Sequence, residues 1–196
     1  MKRLITLSLL LLTFSIAFAQ DKPEGLFINS KAYDFKAKDQ NGKEVVLKDI
    51  RKKGPVVIMF YRGYWCPYCN KELQHFQDSL QYITDKGAQF IAITPEAAEG
   101  IAQTVTKTGA TFPIIYDEDM KIAKAYGVAF KVEDNILRRY KNSGIDLLAN
   151  NHQKDEAYLP VPAVYIINKE GSVTYRYFDA NYRNRVSVKE LLRNIQ

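Results

Sequence analysis

The chain has 196 residues, 46% of them hydrophobic, and a formal net charge of +6 from 28 Lys and Arg against 22 Asp and Glu. Length and apolar content fit one folded domain. The basic excess is small and dispersed, with only Arg51-Lys52-Lys53 clustered, so it offers no surface for a nucleic acid.

The chain opens Met1-Lys2-Arg3, then runs uncharged from Leu4 and ends that stretch in Ala17-Phe18-Ala19. A positive start, an apolar run and a small-x-small ending make a secretory signal peptide over residues 1–19. The run is shorter than the ~20 residues a spanning helix needs, and no cysteine follows it to carry a lipid. Cleavage is expected near Ala19, releasing a periplasmic or secreted chain whose charge falls from +6 to +4 with the loss of Lys2 and Arg3. Such a compartment permits a structural disulfide. Redox activity therefore has to be argued from where the cysteines sit as well as from their spacing.

Residues 20–30, with Pro23 and Gly25, read as a polar arm, and residues 31–196 as the domain. Tyr33–Lys38 and Glu44–Leu47 flank Asn41-Gly42, a strong hairpin signal. Val56–Tyr61 reads as a buried strand. Cys69, Leu73, Phe76, Leu80 and Ile83 then mark the apolar face of a helix from Pro67 to about Lys86. Strand Gln89–Thr94 follows, then a helix from Pro95-Glu96 to about Thr108, strand Phe112–Tyr116 and a helix from Asp117 to Tyr126. Val161–Asn168 and Ser172–Phe178 form a hairpin, and Val186–Ile195 a last helix. This alternation predicts an α/β fold with a largely parallel sheet covered on both faces. Residues 128–159 are an insert, with a helix expected over Asp134–Leu148 that Gly144 weakens. A segment this long reads equally as a lid or docking surface and as decoration.

The chain's only two cysteines lie at the junction of strand and helix, in Phe60-Tyr61-Arg62-Gly63-Tyr64-Trp65-Cys66-Pro67-Tyr68-Cys69. Pro67 suits a first helical turn, where its missing N–H has no intrahelical partner. Cys66 then falls at the helix N-terminus, where free N–H groups and the helix dipole pull a thiol below its ordinary ~8.5. Cys69 sits one turn in, where burial favours the neutral thiol. An exposed attacking sulfur and a sheltered resolving sulfur suit thiol–disulfide exchange. Arg62 is a candidate to support the thiolate, with a solvated arginine as the alternative.

At these residues the sequence resembles the thioredoxin-fold superfamily, and more closely the peroxiredoxin-like branch of the alkyl hydroperoxide reductase / thiol-specific antioxidant family, from about Lys31 to the C-terminus. The resemblance implies a thioredoxin-like three-layer fold with an N-terminal β-hairpin and an insert before a cis-proline strand. It makes Pro162 the cis-proline, with Val161 offering main-chain contacts to a partner, and Trp65 an aromatic shield beside Cys66. It implies a redox disulfide Cys66–Cys69, a hydroperoxide or protein disulfide as substrate, and an external dithiol such as a thioredoxin-like protein as reductant. It implies no cofactor and no metal, and leaves the oligomeric state open. The peroxidase pattern Pro-x-x-x-Thr/Ser-x-x-Cys departs here: with its cysteine on Cys69, Arg62 stands at the proline and Cys66 at the threonine. The whole chain is thus peroxiredoxin-like while the local site is dithiol.

Two other readings use the same residues. Cys66, Cys69, His75 and His152 supply four zinc ligands in number, but His75 points away from Cys69 on a straight helix and His152 belongs to the insert. A non-catalytic binding module with a structural disulfide is the other, against which the short loop between the cysteines constrains little unfolded chain.

Overall fold

A computed structural model describes residues 22–196, so the expected signal peptide lies outside the described residues. The chain first lays down a hairpin, β1 (Lys36–Lys38) and β2 (Glu44–Val46), paired in register Lys36 to Val46. Gly42 takes φ +76° in its turn, a backbone conformation that glycine enters without a Cβ penalty. A short helix α1 (Leu47–Arg51) leads to β3 (Val56–Phe60).

β3 is buried at every position and sits at the centre of a five-stranded sheet. From it run α2 (Pro67–Asp78), α3 (Leu80–Asp85), β4 (Gln89–Thr94), α4 (Ala98–Thr108) and β5 (Ile114–Tyr116). A 3-10 turn over Glu118–Met120 precedes α5 (Lys121–Ala125). The insert folds as β6 (Ala129–Lys131), α6 (Asp134–Asn142), α7 (Leu147–Asn150) and β7 (Tyr158–Pro160). β8 (Ala163–Ile167), β9 (Val173–Phe178) and α8 (Val188–Asn194) close the chain. The sheet order is β5-β4-β3-β8-β9, with β3, β4 and β5 parallel, β8 antiparallel to β3 and β9 antiparallel to β8.

Alternation along β3 sorts its side chains into two cores. Val57 and Met59 meet Leu73 and Phe76 of α2, Ile101 of α4 and Leu191 of α8. Val56, Ile58 and Phe60 meet Leu47, Ile122, Ala123 and Tyr126. This is the expected three-layer arrangement, since successive side chains of a strand point to opposite faces.

Several boundaries differ from the sequence reading, each for a local reason. The helix expected to continue to Lys86 breaks at Ser79, whose ψ is 9° and whose N–H is shared by the His75 and Phe76 carbonyls. The helix expected from Pro95 starts at Ala98, because Glu96 turns inward. The helix expected from Asp117 starts at Lys121, because the Asp117 carboxylate caps it by accepting from the N–H groups of Ile122 and Ala123 at 2.8 and 2.7 Å. The insert helix splits at Gly144 (φ +79°). Part of the N-terminal arm is anchored: Gly25 N–H donates to the Gly127 carbonyl and Asn29 N–H to that of Val173.

Candidate active site

β3 delivers the chain to the top of the sheet, and the loop from Tyr61 to Trp65 turns it into α2 with Cys66 as the N-cap. Gly63 is required there. It has φ +153°, and a Cβ on it would meet Glu96 Oε1 and Trp65 Nε1 at 2.4 Å. Glu96 fixes the same loop by accepting from Tyr64 N–H at 2.8 Å. The Tyr64 carbonyl in turn accepts from Asn70 Nδ2 at 2.7 Å and Lys107 Nζ at 3.2 Å.

Three donors converge on Cys66 Sγ. Arg62 Nη2 lies at 3.1 Å, the Cys69 thiol at 2.7 Å and the Cys69 backbone N–H at 3.4 Å. Both cysteines are free thiols in this structure. The Cys69 thiol, the Arg62 charge and the helix N–H outweigh burial and hold the Cys66 thiol far below its ordinary range, at about 5. Burial and the neighbouring Cys66 push Cys69 the other way. The asymmetry expected from position on the helix is therefore present, and side chains deepen it.

Exposure differs from the expectation. Cys66 is as fully buried as Cys69. Its cover comes from distant parts of the chain. Arg62 is itself buried and sandwiched between the rings of Trp65 (5.0 Å) and Tyr182 (3.8 Å). Its Nη1 donates to the hydroxyl of Tyr140 on α6 at 2.9 Å. Trp65 bridges the main core and the small core of the insert, edge-on to Tyr140 at 5.1 Å. Tyr140 thus brings the insert against Arg62 and Trp65, the two side chains beside Cys66.

On the other side of the pair, Arg185 Nη2 donates to Cys69 Sγ at 3.5 Å, and its Nε lies 2.7 Å from a carboxylate oxygen of Glu72. Burial pushes Glu72 up to about 8 although the Arg185 charge pulls it back, and burial pushes Glu96 up to about 8 as well.

The proline corrects an expectation. The Val161–Pro162 bond is trans, like every described peptide bond. Trans is the favoured isomer even for X–Pro, by about 0.5–1 kcal/mol. Val161 N–H already donates to the Val128 carbonyl at 2.8 Å, continuing the β6–β7 ladder. Val161 and Pro162 are both buried, so the Val161 amide is not open to an incoming chain.

His75 is exposed on α2 and His152 stacks edge-on to Tyr116, so the imidazoles have other surroundings than the sulfurs. The sequence reading missed Glu72, Glu96, Tyr140, Tyr182 and Arg185. Glu72 carried a signal, an acidic residue beside the apolar stripe of α2. The other four carried none.

The profile of the AhpC/TSA family matches residues 28–176. The thiol-disulfide oxidoreductase ResA of Bacillus thuringiensis (strain Al Hakam) is 32% identical over 112 residues, covering 57% of this chain and 63% of that protein. The match thus spans less than two thirds of that relative's length. The chloroplastic peroxiredoxin Q of Sedum lineare is 29% identical over 130 residues, covering 64% of this chain and 69% of that protein. Among solved structures, peroxidoxin BcpB from Mycobacterium tuberculosis superposes with a TM-score of 0.64 at 19% identity, covering 85% of this chain and 94% of that one. This last likeness is one of fold.

Proposed function

The chain belongs to the AhpC/TSA family, and from that membership we propose that it is a thiol-dependent oxidoreductase that cycles Cys66 and Cys69 between dithiol and disulfide. The observation that carries the reading is the Cys66 sulfur with Arg62 at 3.1 Å and the Cys69 thiol at 2.7 Å. It is a stabilised thiolate with its resolving partner in contact. Trp65 shields that sulfur, and residues 1–19 direct export to the periplasm or beyond.

With a hydroperoxide, the Cys66 thiolate attacks the terminal peroxide oxygen and the O–O bond breaks. The alcohol leaves after taking one proton, and Cys66 becomes a sulfenic acid. Cys69 then attacks Cys66 Sγ, hydroxide departs and takes up the Cys69 proton, and the products are the Cys66–Cys69 disulfide and water. An external dithiol, such as a thioredoxin-like protein, returns two electrons and two protons. Burial of Cys66 favours this small substrate.

A second reading is exchange with protein disulfides, favoured by the Cys-x-x-Cys spacing and by likeness to thiol-disulfide oxidoreductases. In it the thiolate forms a mixed disulfide that Cys69 resolves, and the cover formed by Tyr140 and Tyr182 has to move aside. Val161 and Pro162 are buried, so this reading also needs them uncovered before they could line a groove.

Stopped-flow fluorescence of Trp65, the only tryptophan, tests the reading on the reduced chain. Oxidation by hydrogen peroxide much faster than a free thiol, abolished in Cys66→Ser and halted at a dimedone-reactive sulfenic acid in Cys69→Ser, is the expected result. Slow oxidation by peroxide with rapid reaction toward an oxidised protein dithiol selects the second reading. A disulfide that resists reduction by both dithiols and thioredoxin-like proteins overturns both.

A further inference from the structure

The two sulfurs each have an arginine, and the proposed function uses only one of them. Arg62 precedes Cys66 in the same loop. Arg185 comes from the segment between β9 and α8, far along the chain, and its placement is fully specified. Its Nη1 donates to the Asn184 carbonyl at 2.8 Å, its Nε lies 2.7 Å from Glu72, and its Nη2 donates to Cys69 Sγ at 3.5 Å. The side chain is only 12% exposed. A guanidinium held so far from water is costly unless charge or hydrogen bonding offsets it, and the groups it faces here are the Glu72 carboxylate and the Cys69 sulfur.

Resting on the dithiol reading, we propose that Arg185 is a catalytic residue of the resolving step, stabilising the negative charge that develops on Cys69 Sγ as it attacks Cys66. In the reduced resting state the Cys69 proton is held by the Cys66 thiolate at 2.7 Å. Once Cys66 has become a sulfenic acid or a mixed disulfide, that acceptor is gone. Cys69 must then shed its proton inside a closed core. Two donors then remain within reach of the sulfur, the Arg62 backbone N–H and the Arg185 guanidinium, and of these the Arg185 group carries the charge.

The step balances in both settings. With a sulfenic acid, the S–S bond forms as the S–OH bond breaks, and hydroxide leaves with the Cys69 proton as water. With a mixed disulfide, the Cys66–Cys69 S–S bond forms as the S–S bond to the substrate breaks, the substrate thiolate departs, and the Cys69 proton passes to that thiolate or to solvent. The other ionisable groups that bear on Cys69 are Cys66, Arg62 and Tyr61 from the loop after β3, with Glu72 of α2 acting through Arg185 and Tyr177 of β9 packed against the same core. Arg185 and Arg62 are the cations among them, and Arg62 is engaged with Cys66 and Tyr140.

The aromatic disulfide DTNB separates the two steps. Attack by Cys66 releases one thionitrobenzoate and leaves the other on Cys66, and attack by Cys69 releases the second. In Arg185→Gln the second release is expected to slow at least tenfold more than the first. Its pH midpoint is expected to move up by about one unit, the lower end of what loss of a neighbouring opposite charge does. Arg185→Lys, which keeps the charge, is expected to restore most of the rate. If Arg185→Gln fails to fold because Glu72 is left unpaired, the double variant Glu72→Gln/Arg185→Gln carries the same expectation without a stranded carboxylate. An unchanged second phase, or two phases slowed equally with no shift in midpoint, overturns the proposal for Arg185 and leaves the dithiol reading standing. Release of a single thionitrobenzoate by the unmodified protein overturns the dithiol reading itself.

Discussion

Cys66 and Cys69 sit one helical turn apart, and each sulfur touches one guanidinium, yet the two surroundings act in opposite directions. Around Cys66 every polar contact is a donor: Arg62, the Cys69 thiol and the Cys69 N–H. The buried Glu96 carboxyl accepts from Tyr64 N–H. Around Cys69 the guanidinium is shared with Glu72, and the sulfur is a donor to its neighbour. One turn of helix thus carries a thiolate at one end and a neutral thiol at the other. Burial alone would raise both. At Cys69 burial and the neighbouring Cys66 prevail, while at Cys66 the Cys69 thiol, the Arg62 charge and the helix N–H outweigh burial.

Removing the Arg62 charge from Cys66 should break the comparison most. Arg62→Gln is expected to raise the Cys66 midpoint by about 1–3 units, as loss of an opposite charge in contact does. The sign follows from the depressed value: reactivity is present above the midpoint and lost as pH falls through it. Wild-type alkylation by iodoacetamide should therefore fall away near pH 5, and that of the variant nearer the ordinary value. At pH 6, from the fraction of thiolate at each midpoint, the variant should react roughly 2- to 90-fold more slowly. An unchanged profile would mean that the Cys69 thiol and the helix terminus, not Arg62, make the thiolate.

Next in size is Gly63→Ala. Its Cβ would press on Glu96 and Trp65 in a backbone conformation that L-residues avoid, so a loss of roughly 1–3 kcal/mol is expected in urea unfolding. Wild-type stability would argue that the loop shifts freely.

Glu96→Gln sharpens the account of the loop. Burial raises this carboxyl to about 8, so it binds its proton more tightly folded than unfolded. Its contribution is fully present below the unfolded value near 4.5 and lost as pH rises toward 8. The amide keeps an acceptor for Tyr64 N–H without the charge. Relative to wild type, the variant should gain roughly 1–3 kcal/mol between pH 5 and pH 8. Parallel pH profiles of the two proteins would exclude ionisation of Glu96 as a source of strain.

Smallest is Tyr140→Phe. It keeps the ring against Trp65 and removes the hydroxyl that holds Arg62. A loss of about 0.5–1.5 kcal/mol in unfolding is expected, with a Cys66 midpoint raised by less than Arg62→Gln raises it. A shift as large as that of Arg62→Gln would show that Arg62 is held on the sulfur by the insert alone.

What was legible in the sequence is what depends on near neighbours along the chain. Val56–Phe60 announces a strand, Cys69, Leu73 and Phe76 a helix face, and Pro67 a first turn, so the cysteines could be placed at a strand–helix junction and their inequality inferred. Arg62 was visible as a candidate because it lies within the same loop. The hairpin was legible from Asn41-Gly42, since two residues decide that turn.

Glu96 misled because an acidic residue after a proline looks like the opening of a helix; only the packed loop shows it reaching back to Tyr64. The Val161 N–H is taken by the Val128 carbonyl beside the β6–β7 ladder, a pairing made by an insert whose place no pattern specified. Tyr140, Tyr182 and Arg185 reach the sulfurs from segments more than seventy residues downstream of Cys66.

The sequence by itself determined the layers of the fold and the order of the two sulfurs, because secondary structure and helix-end electrostatics arise within a few residues. Tertiary structure alone decided which charges each sulfur sees and what covers it, because a Coulombic contact depends on distance in space and carries no trace of distance along the chain.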